Sequence, residues 1–100
     1  MMRRAGMTPK TMDLVAERFR ALGEPARLGI LQALRSGERC VSEIEAKTGL
    51  NQANLSRHLR VLSAAGMVRR RKDGLFAYYA LADVDVLKLC ELMCGRVTAA

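Results

Sequence analysis

The chain has 100 residues, which is the length of one small domain. Half of the residues are hydrophobic, but no uncharged run is longer than nine residues, so the sequence contains no candidate membrane span. The net charge of +7 favours a polyanionic partner, with nucleic acid as the first candidate. Residues 1–4 lack the apolar stretch of a secretory signal, so we expect a cytoplasmic protein.

Two helices are predicted at the start of the chain, after a flexible basic arm over residues 1–8. Thr8 and Pro9 mark the first helix start, because Thr caps a helix and Pro suits its first position. The hydrophobic residues of this helix recur at three- and four-residue steps, at Met12, Val15, Phe19 and Leu22. The second helix opens at Pro25 and is apolar on most sides, so we expect it at the centre of the core.

The third and fourth helices are predicted to form a helix-turn-helix. Ser42 and the glutamates after it give a capping-box pattern, which starts a short helix that ends at Gly49. Asn51 can cap a fourth helix over the residues up to Ala65, with Gly66 ending it. Two short helices with so tight a connection are typical of this motif.

A β-hairpin and a last helix complete the predicted fold. Residues 67–72 and 75–81 are predicted strands around an Asp73-Gly74 turn, and Asp83 caps a final helix. The fold class is therefore mainly α with a small β-hairpin, in the order α-α-α-α-β-β-α. Residues 9–97 form one winged helix-turn-helix domain, and residues 98–100 form a tail.

The outer face of the fourth helix suits a reader of the DNA major groove. Leu55, Leu59 and Leu62 share one face and point to the core, which leaves the polar face outside. Arginine can bond to guanine or phosphate, amides suit adenine, and small residues allow close approach. A merely solvated polar face is the alternative. The candidate DNA-contacting residues on this helix are Gln52, Ala53, Asn54, Ser56, Arg57 and Arg60.

The hairpin carries a basic run immediately before its turn. Alternation along a strand sends Arg69 and Arg71 to one face and Arg70 and Lys72 to the other, so both faces are basic. We assign Arg69, Arg71 and Lys72 to contacts with phosphates or a minor groove, which position a protein without specifying sequence. A charged edge that discourages aggregation is the alternative.

Several stretches of the chain resemble the ArsR/SmtB family of bacterial repressors. They are residues 21–28 (ALGEPARL), 37–44 (GERCVSEI), 55–62 (LSRHLRVL), 65–68 (AGMV), and 73–74 (DG) before 78–81 (YYAL). The resemblance implies a homodimer through the first and last helices, with the fourth as recognition helix. It also implies a repressor that leaves an inverted-repeat operator when an effector binds. Such a repressor would be found in the bacterial cytoplasm and, while bound to DNA, on the nucleoid.

The cysteines Cys40, Cys90 and Cys94 are the candidate effector site. Cys90 and Cys94 lie one helical turn apart, so one soft ion could bridge both sulfurs. The resemblance aligns Cys40 with a cysteine of metal-sensing members, and As(III) would take all three thiolates if the fold brings Cys40 near. Ser42 stands where those members carry a second thiolate or a glycine, so that pair is incomplete.

Other roles for the cysteines stay open. A zinc-type site is disfavoured because no histidine follows His58. A thiol-redox or reactive-sulfur sensor would resemble members with a cysteine on the second helix, where this chain has Gln32, although Cys40 could be the partner. Buried cysteines also pack as small hydrophobic residues.

No enzyme is indicated, because the sequence offers neither a nucleophile–base pair nor a phosphate-cradling glycine loop. A winged-helix protein-interaction module would tend to lose the Arg57 and Arg60 face, which this chain keeps. We therefore predict a repressor that needs no cofactor to bind DNA, with As(III) or another soft ion as the candidate inducer. Its expected partners are double-stranded operator DNA and a second copy of the chain, without a membrane.

Overall fold

The computed structural model describes residues 6–99, so Ala100 and most of the predicted basic arm lie outside the described residues. The elements in chain order are α1 (Pro9–Leu22), α2 (Pro25–Ala33), β1 (Arg39–Cys40), α3 (Val41–Thr48), α4 (Gln52–Ala64), β2 (Val68–Asp73), β3 (Phe76–Leu81) and α5 (Asp85–Thr98). The last helix thus extends one residue into the predicted tail. Within residues 6–99, every helix is too short or too polar to cross a membrane.

Polar side chains cap α1 and α4 where the sequence predicts. The hydroxyl of Thr8 accepts a hydrogen bond from the backbone N–H of Thr11 at 3.1 Å. The side-chain oxygen of Asn51 accepts from the backbone N–H of Asn54 at 2.8 Å. Each bond satisfies a donor that the first helical turn leaves free, so both predicted caps are confirmed.

The cap of α3 is Cys40, and the predicted cap at Ser42 is wrong. The carboxylate of Glu43 accepts a hydrogen bond from the backbone N–H of Cys40 at 2.9 Å. Ser42 instead lies in the first turn, with its hydroxyl 3.2 Å from Cys40 Sγ. Because the carboxylate of a capping box stands three residues after the cap, Glu43 places the helix start earlier than the serine would.

The sheet has three antiparallel strands in the order β1-β3-β2, where the sequence predicted a hairpin alone. The additional strand β1 is two residues long, with Arg39 opposite Tyr79 and Cys40 opposite Tyr78. A strand of two residues has no alternation that the sequence could reveal. The element order is therefore α-α-β-α-α-β-β-α.

The hairpin turn is one residue later than predicted. Asp73 pairs with Phe76, so the two-residue loop is Gly74-Leu75 rather than Asp73-Gly74. Gly74 has a φ of +61°, a conformation that glycine adopts without the steric cost paid by other residues. The glycine therefore occupies the first loop position, and Leu75 lies at the tip.

The hydrophobic core lies between the middle helices and the base of the hairpin. Both Ile30 and Leu31 of α2 are fully buried, as the apolar surface of that helix predicts. The remaining core residues are Ala21, Leu34, Ile44, Leu55, Leu59, Leu62, Ala65, Met67 and Val68. α5 contributes no fully buried residue to this core, although Val86 packs against it, and Leu89, Leu92, Met93 and Val97 remain exposed on the single chain.

Candidate nucleic-acid interface

The outer face of α4 is exposed over its whole length. Leu55, Leu59 and Leu62 are buried, which fixes the rotation of the helix and confirms the predicted core face. All six candidate DNA-contacting residues lie at the surface, namely Gln52, Ala53, Asn54, Ser56, Arg57 and Arg60. Arg57 donates a hydrogen bond of 3.4 Å to the side-chain oxygen of Asn54, so an arginine and an amide stand together on this face.

A tight connection orients α4 relative to α3. Gly49 ends α3 in the left-handed conformation with a φ of +74°, and its N–H donates to the carbonyl of Glu45 at 2.8 Å. The hydroxyl of Thr48 donates to Ile44 O and accepts from Leu50 N, which satisfies polar groups of the turn. The arrangement is the helix-turn-helix that the spacing predicts, with α4 as its second helix.

An arginine on α2 joins the end of α1 to the inner face of α4. Arg27 Nε donates to the carbonyl of Ala21 at 2.6 Å, and Nη2 donates to that of Arg20 at 3.1 Å. Its Nη1 lies 3.2 Å from Nδ1 of His58, which is buried. An arginine can only donate, so Nδ1 of His58 is the acceptor and the ring is neutral.

The environment of His58 favours this neutral ring. Burial lowers the pKa of His58, the nearby charges of Arg57 and Arg27 lower it further, and Glu24 acts in the opposite direction. His58 lies three positions after Leu55 and directly before Leu59, so it adjoins their core face, but the sequence indicates no partner for its ring. Arg27 lies 31 positions away on a helix whose sequence pattern is mostly apolar, so no spacing rule could join the two.

The basic residues of the hairpin are exposed, but one of them is bound within the chain. Arg69, Arg70 and Lys72 extend from β2 at the surface. Arg71 donates two hydrogen bonds to the carboxylate of Glu38, at 2.9 and 2.8 Å. The predicted phosphate contact of Arg71 therefore competes with an internal carboxylate that the sequence did not reveal.

The three cysteines do not come together in the described part of the chain. Cys40 is half-buried at the junction of β1 and α3, whereas Cys90 is half-buried and Cys94 exposed on α5. Among residues 6–99, no three His, Cys, Asp or Glu side chains form a group that could hold a metal ion. Within one chain, the described residues therefore do not assemble the three-thiolate set, and Cys90 and Cys94 lie one helical turn apart on α5. Burial, followed by the charge of Glu91, raises the pKa of Cys90.

The pair on α5 lines an apolar groove. The groove measures about 940 Å³ and is formed by α1, α2 and α5. Two of these helices, α1 and α5, carry further exposed hydrophobic side chains. They are Met12, Leu14, Phe19, Leu89, Leu92, Met93 and Val97. So many exposed apolar side chains on two helices are typical of a protein–protein interface.

The known proteins to which the chain is similar are transcriptional regulators. A model of the arsR family of bacterial regulatory proteins matches residues 24–70. The chain is 39% identical over 82 residues to the HTH-type transcriptional regulator Rv0324 of Mycobacterium tuberculosis. This match covers 82% of the chain but only 36% of that regulator, so the chain spans about a third of its length. Over 88 residues the chain is also 39% identical to a probable mercury resistance operon repressor of Streptomyces lividans, covering 88% of the chain and 69% of the repressor.

A solved structure shows the same fold. It is the homodimeric winged helix-turn-helix DNA-binding domain of Mb0332 from Mycobacterium bovis, determined by NMR. The TM-score is 0.81 at 34% identity, and the match covers 97% of this chain and 90% of that one. The winged helix-turn-helix prediction is confirmed. The relatives are transcriptional regulators, which also confirms the prediction that the chain is not an enzyme.

Proposed function

Because the chain belongs to the arsR family of bacterial regulatory proteins, we propose that it is a homodimeric repressor that binds operator DNA. The observation that carries the proposal is the outer face of α4. Its arginines and amides are exposed, while three leucines on the opposite face anchor the helix in the core. A helix held in this way can enter the major groove without losing its packing. The cytoplasm, with the nucleoid when operator-bound, is the corresponding location.

The second copy would cover the apolar surface of α1 and α5. The homodimeric domain from Mycobacterium bovis supports a second copy, since its fold matches nearly the whole chain. A twofold dimer would present two copies of α4 to successive major grooves, about 34 Å apart. The operator would therefore be an inverted repeat, and the doubled positive charge would strengthen binding to all duplexes at low salt.

Fluorescence anisotropy on the protein's own promoter DNA and on a random duplex tests this proposal. Arg57→Ala should weaken promoter binding much more than random binding, because a base contact specifies sequence and a phosphate contact does not. Lys88→Ala, which removes one exposed charge from α5, is the matched control and should change neither strongly. Equal affinity of the unmodified protein for both duplexes would contradict the repressor and favour a protein-interaction module.

For the effector, we propose a soft metal or metalloid ion bound by Cys90 and Cys94. The two thiols are one turn apart on a helix of the proposed dimer interface, and both border the groove beside α1. Thiolates prefer soft ions, and the related mercury resistance operon repressor supports this class of effector. An ion held there would change how α5 packs against the second copy and so the spacing of the two recognition helices.

The effector proposal is tested by adding one equivalent of As(III) or Hg(II) to the reduced protein on promoter DNA. Release of DNA that Cys94→Ser abolishes and Cys40→Ser retains is the expected result. If Cys40→Ser also fails to release the DNA, the result would favour a site made of all three thiolates. Release by an oxidant or a polysulfide alone would favour the thiol-redox or reactive-sulfur sensor. If no reagent releases the DNA, the cysteines only pack the interface.

A further inference from the structure

The tip of the hairpin is apolar, although the strand that leads to it is basic. Leu75 is 96% exposed and Phe76, next to it, is 60% exposed. Leu75 occupies the second position of the two-residue loop, directly after Gly74. A leucine so exposed adds nothing to the core, and its apolar surface is costly in water. The folding of the chain therefore does not account for it.

The hairpin holds this tip well away from the core. Six residue pairs join β2 to β3, from Val68 opposite Leu81 to Asp73 opposite Phe76. At the base, Val68 is buried and the N–H of Ala82 donates to the carbonyl of Met67 at 3.0 Å. Strands of this length extend about 20 Å. The apolar tip thus lies at the end of a ladder that is paired along its whole length, far from the core.

The charge around the tip selects its partner. Arg69, Arg70 and Lys72 lie on the same hairpin and are exposed. An apolar protein surface would have to desolvate these cations when it covered Leu75, whereas a nucleic acid would pair them with its phosphates. The minor groove of a duplex offers sugar and base edges between two phosphate rows, which is the pattern of this hairpin.

We propose that Leu75, supported by Phe76, enters the minor groove of the operator. It would make the β2–β3 hairpin, which is the wing of this fold, sensitive to sequence. The inference rests on the proposed function and assigns a new specificity-determining residue within it. The 2-amino group of guanine protrudes into the minor groove, and an A·T pair leaves that position free. Apolar side chains inserted there also favour steps that unstack easily. Leu75 therefore prefers A·T pairs beneath the wing, while the neighbouring cations bind any sequence.

Duplexes with A·T, G·C or inosine·cytosine pairs at the positions under the wing separate these contributions. Inosine·cytosine lacks the 2-amino group but presents the major-groove edge of G·C, so it isolates the minor-groove effect. The unmodified dimer should bind A·T and inosine·cytosine duplexes about tenfold more tightly than G·C, the factor expected for partial burial of one leucine. Leu75→Ser should bind all three equally.

A salt titration of the same complexes distinguishes the apolar contact from a charge effect. Leu75→Ser should leave the slope of log K against log salt unchanged, because no counterion is released by leucine, whereas Lys72→Ala should make the slope less steep by about 0.9. If Leu75→Ser distinguishes the three duplexes as well as the unmodified protein does, the inference is wrong. This holds even where the variant binds the operator tightly. If the unmodified protein does not prefer its operator at all, the proposed function itself fails.

Discussion

Arg71 reaches across the central strand of the sheet to Glu38. Its guanidinium lies 4.7 Å from the centre of the Tyr78 ring and forms two hydrogen bonds with the carboxylate of Glu38. Tyr78 is the register partner of both Arg71 on β2 and Cys40 on β1. The hydrogen bond from Arg71 lowers the pKa of Glu38, so the carboxylate stays ionised under this arginine. Arg71 therefore links β2 to the residue before β1, before any DNA is present.

This pairing predicts different roles for two neighbouring arginines. Arg69→Ala, on the same face of the strand as Arg71, should make the salt dependence of binding to random DNA less steep by about 0.9, as loss of one phosphate contact does. Arg71→Ala should lower it by less, because the charge of Arg71 is already paired with Glu38. Glu38→Gln should strengthen binding to random DNA, since it removes the carboxylate nearest to Arg71 and leaves only the longer ion pair with Asp73 at 3.7 Å. Salt titrations by anisotropy measure all three, and equal slope losses for both arginines would refute this assignment.

The cap of the recognition helix gives a prediction of stability. Asn51→Ala removes the acceptor of the Asn54 N–H and should lower the free energy of unfolding by about 1 kcal/mol. Operator affinity should also fall, because the first turn of α4 carries the amides of the proposed interface. Urea denaturation at fixed protein concentration measures the first effect. Asn51→Asp, which keeps an acceptor, is the control and should retain most of the stability.

Much of the fold follows from local rules in the sequence. Caps at Thr8 and Asn51, the core leucines of α4 and the hairpin were predicted because each depends on neighbouring residues. Two local features were predicted wrongly, the cap of α3 and the position of the hairpin turn, whereas the features that were missed altogether depend on distant residues. β1 exists only because Tyr78 and Tyr79 lie opposite it, and Glu38 meets Arg71 only after the sheet forms. No periodicity encodes such contacts.

The buried histidine predicts a pH dependence. The pKa of His58 is lower in the folded chain than its ordinary value of about 6.5, so the unfolded chain binds the extra proton first as the pH falls. The stabilisation that neutral His58 contributes is complete above pH 6.5. It is lost as the pH falls through the lowered pKa of His58. Protonation would also remove the acceptor that Arg27 uses. Urea denaturation from pH 7.5 to pH 5 should show this decline.

The variant His58→Gln isolates that effect. Its amide oxygen can still accept from Arg27 but does not titrate in this range. The unmodified protein should therefore lose more stability than His58→Gln between pH 6.5 and pH 5. The carboxylates of Glu38 and Glu43, whose pKa values are lowered, titrate at more acidic pH and are present in both proteins. Parallel curves for the two proteins would show that His58 does not contribute.

The apolar surface of the terminal helices predicts the effect of a charge placed on it. Met93 of α5 is 65% exposed on the single chain, so Met93→Lys should leave the fold of each protomer intact. A charge at this position would be buried without a partner between two copies, and the dimer should dissociate. Sedimentation equilibrium measures the change.

Leu75→Lys is the matched control for this variant, because it places the same charge on an exposed apolar residue outside the proposed interface. It should remain dimeric. Met93→Lys should lose most of its preference for an inverted repeat over a single half-site, since one recognition helix then binds alone. A dimer that survives Met93→Lys would place the contact between copies elsewhere on the chain, whereas dissociation of both variants would mean that added charge alone separates the copies.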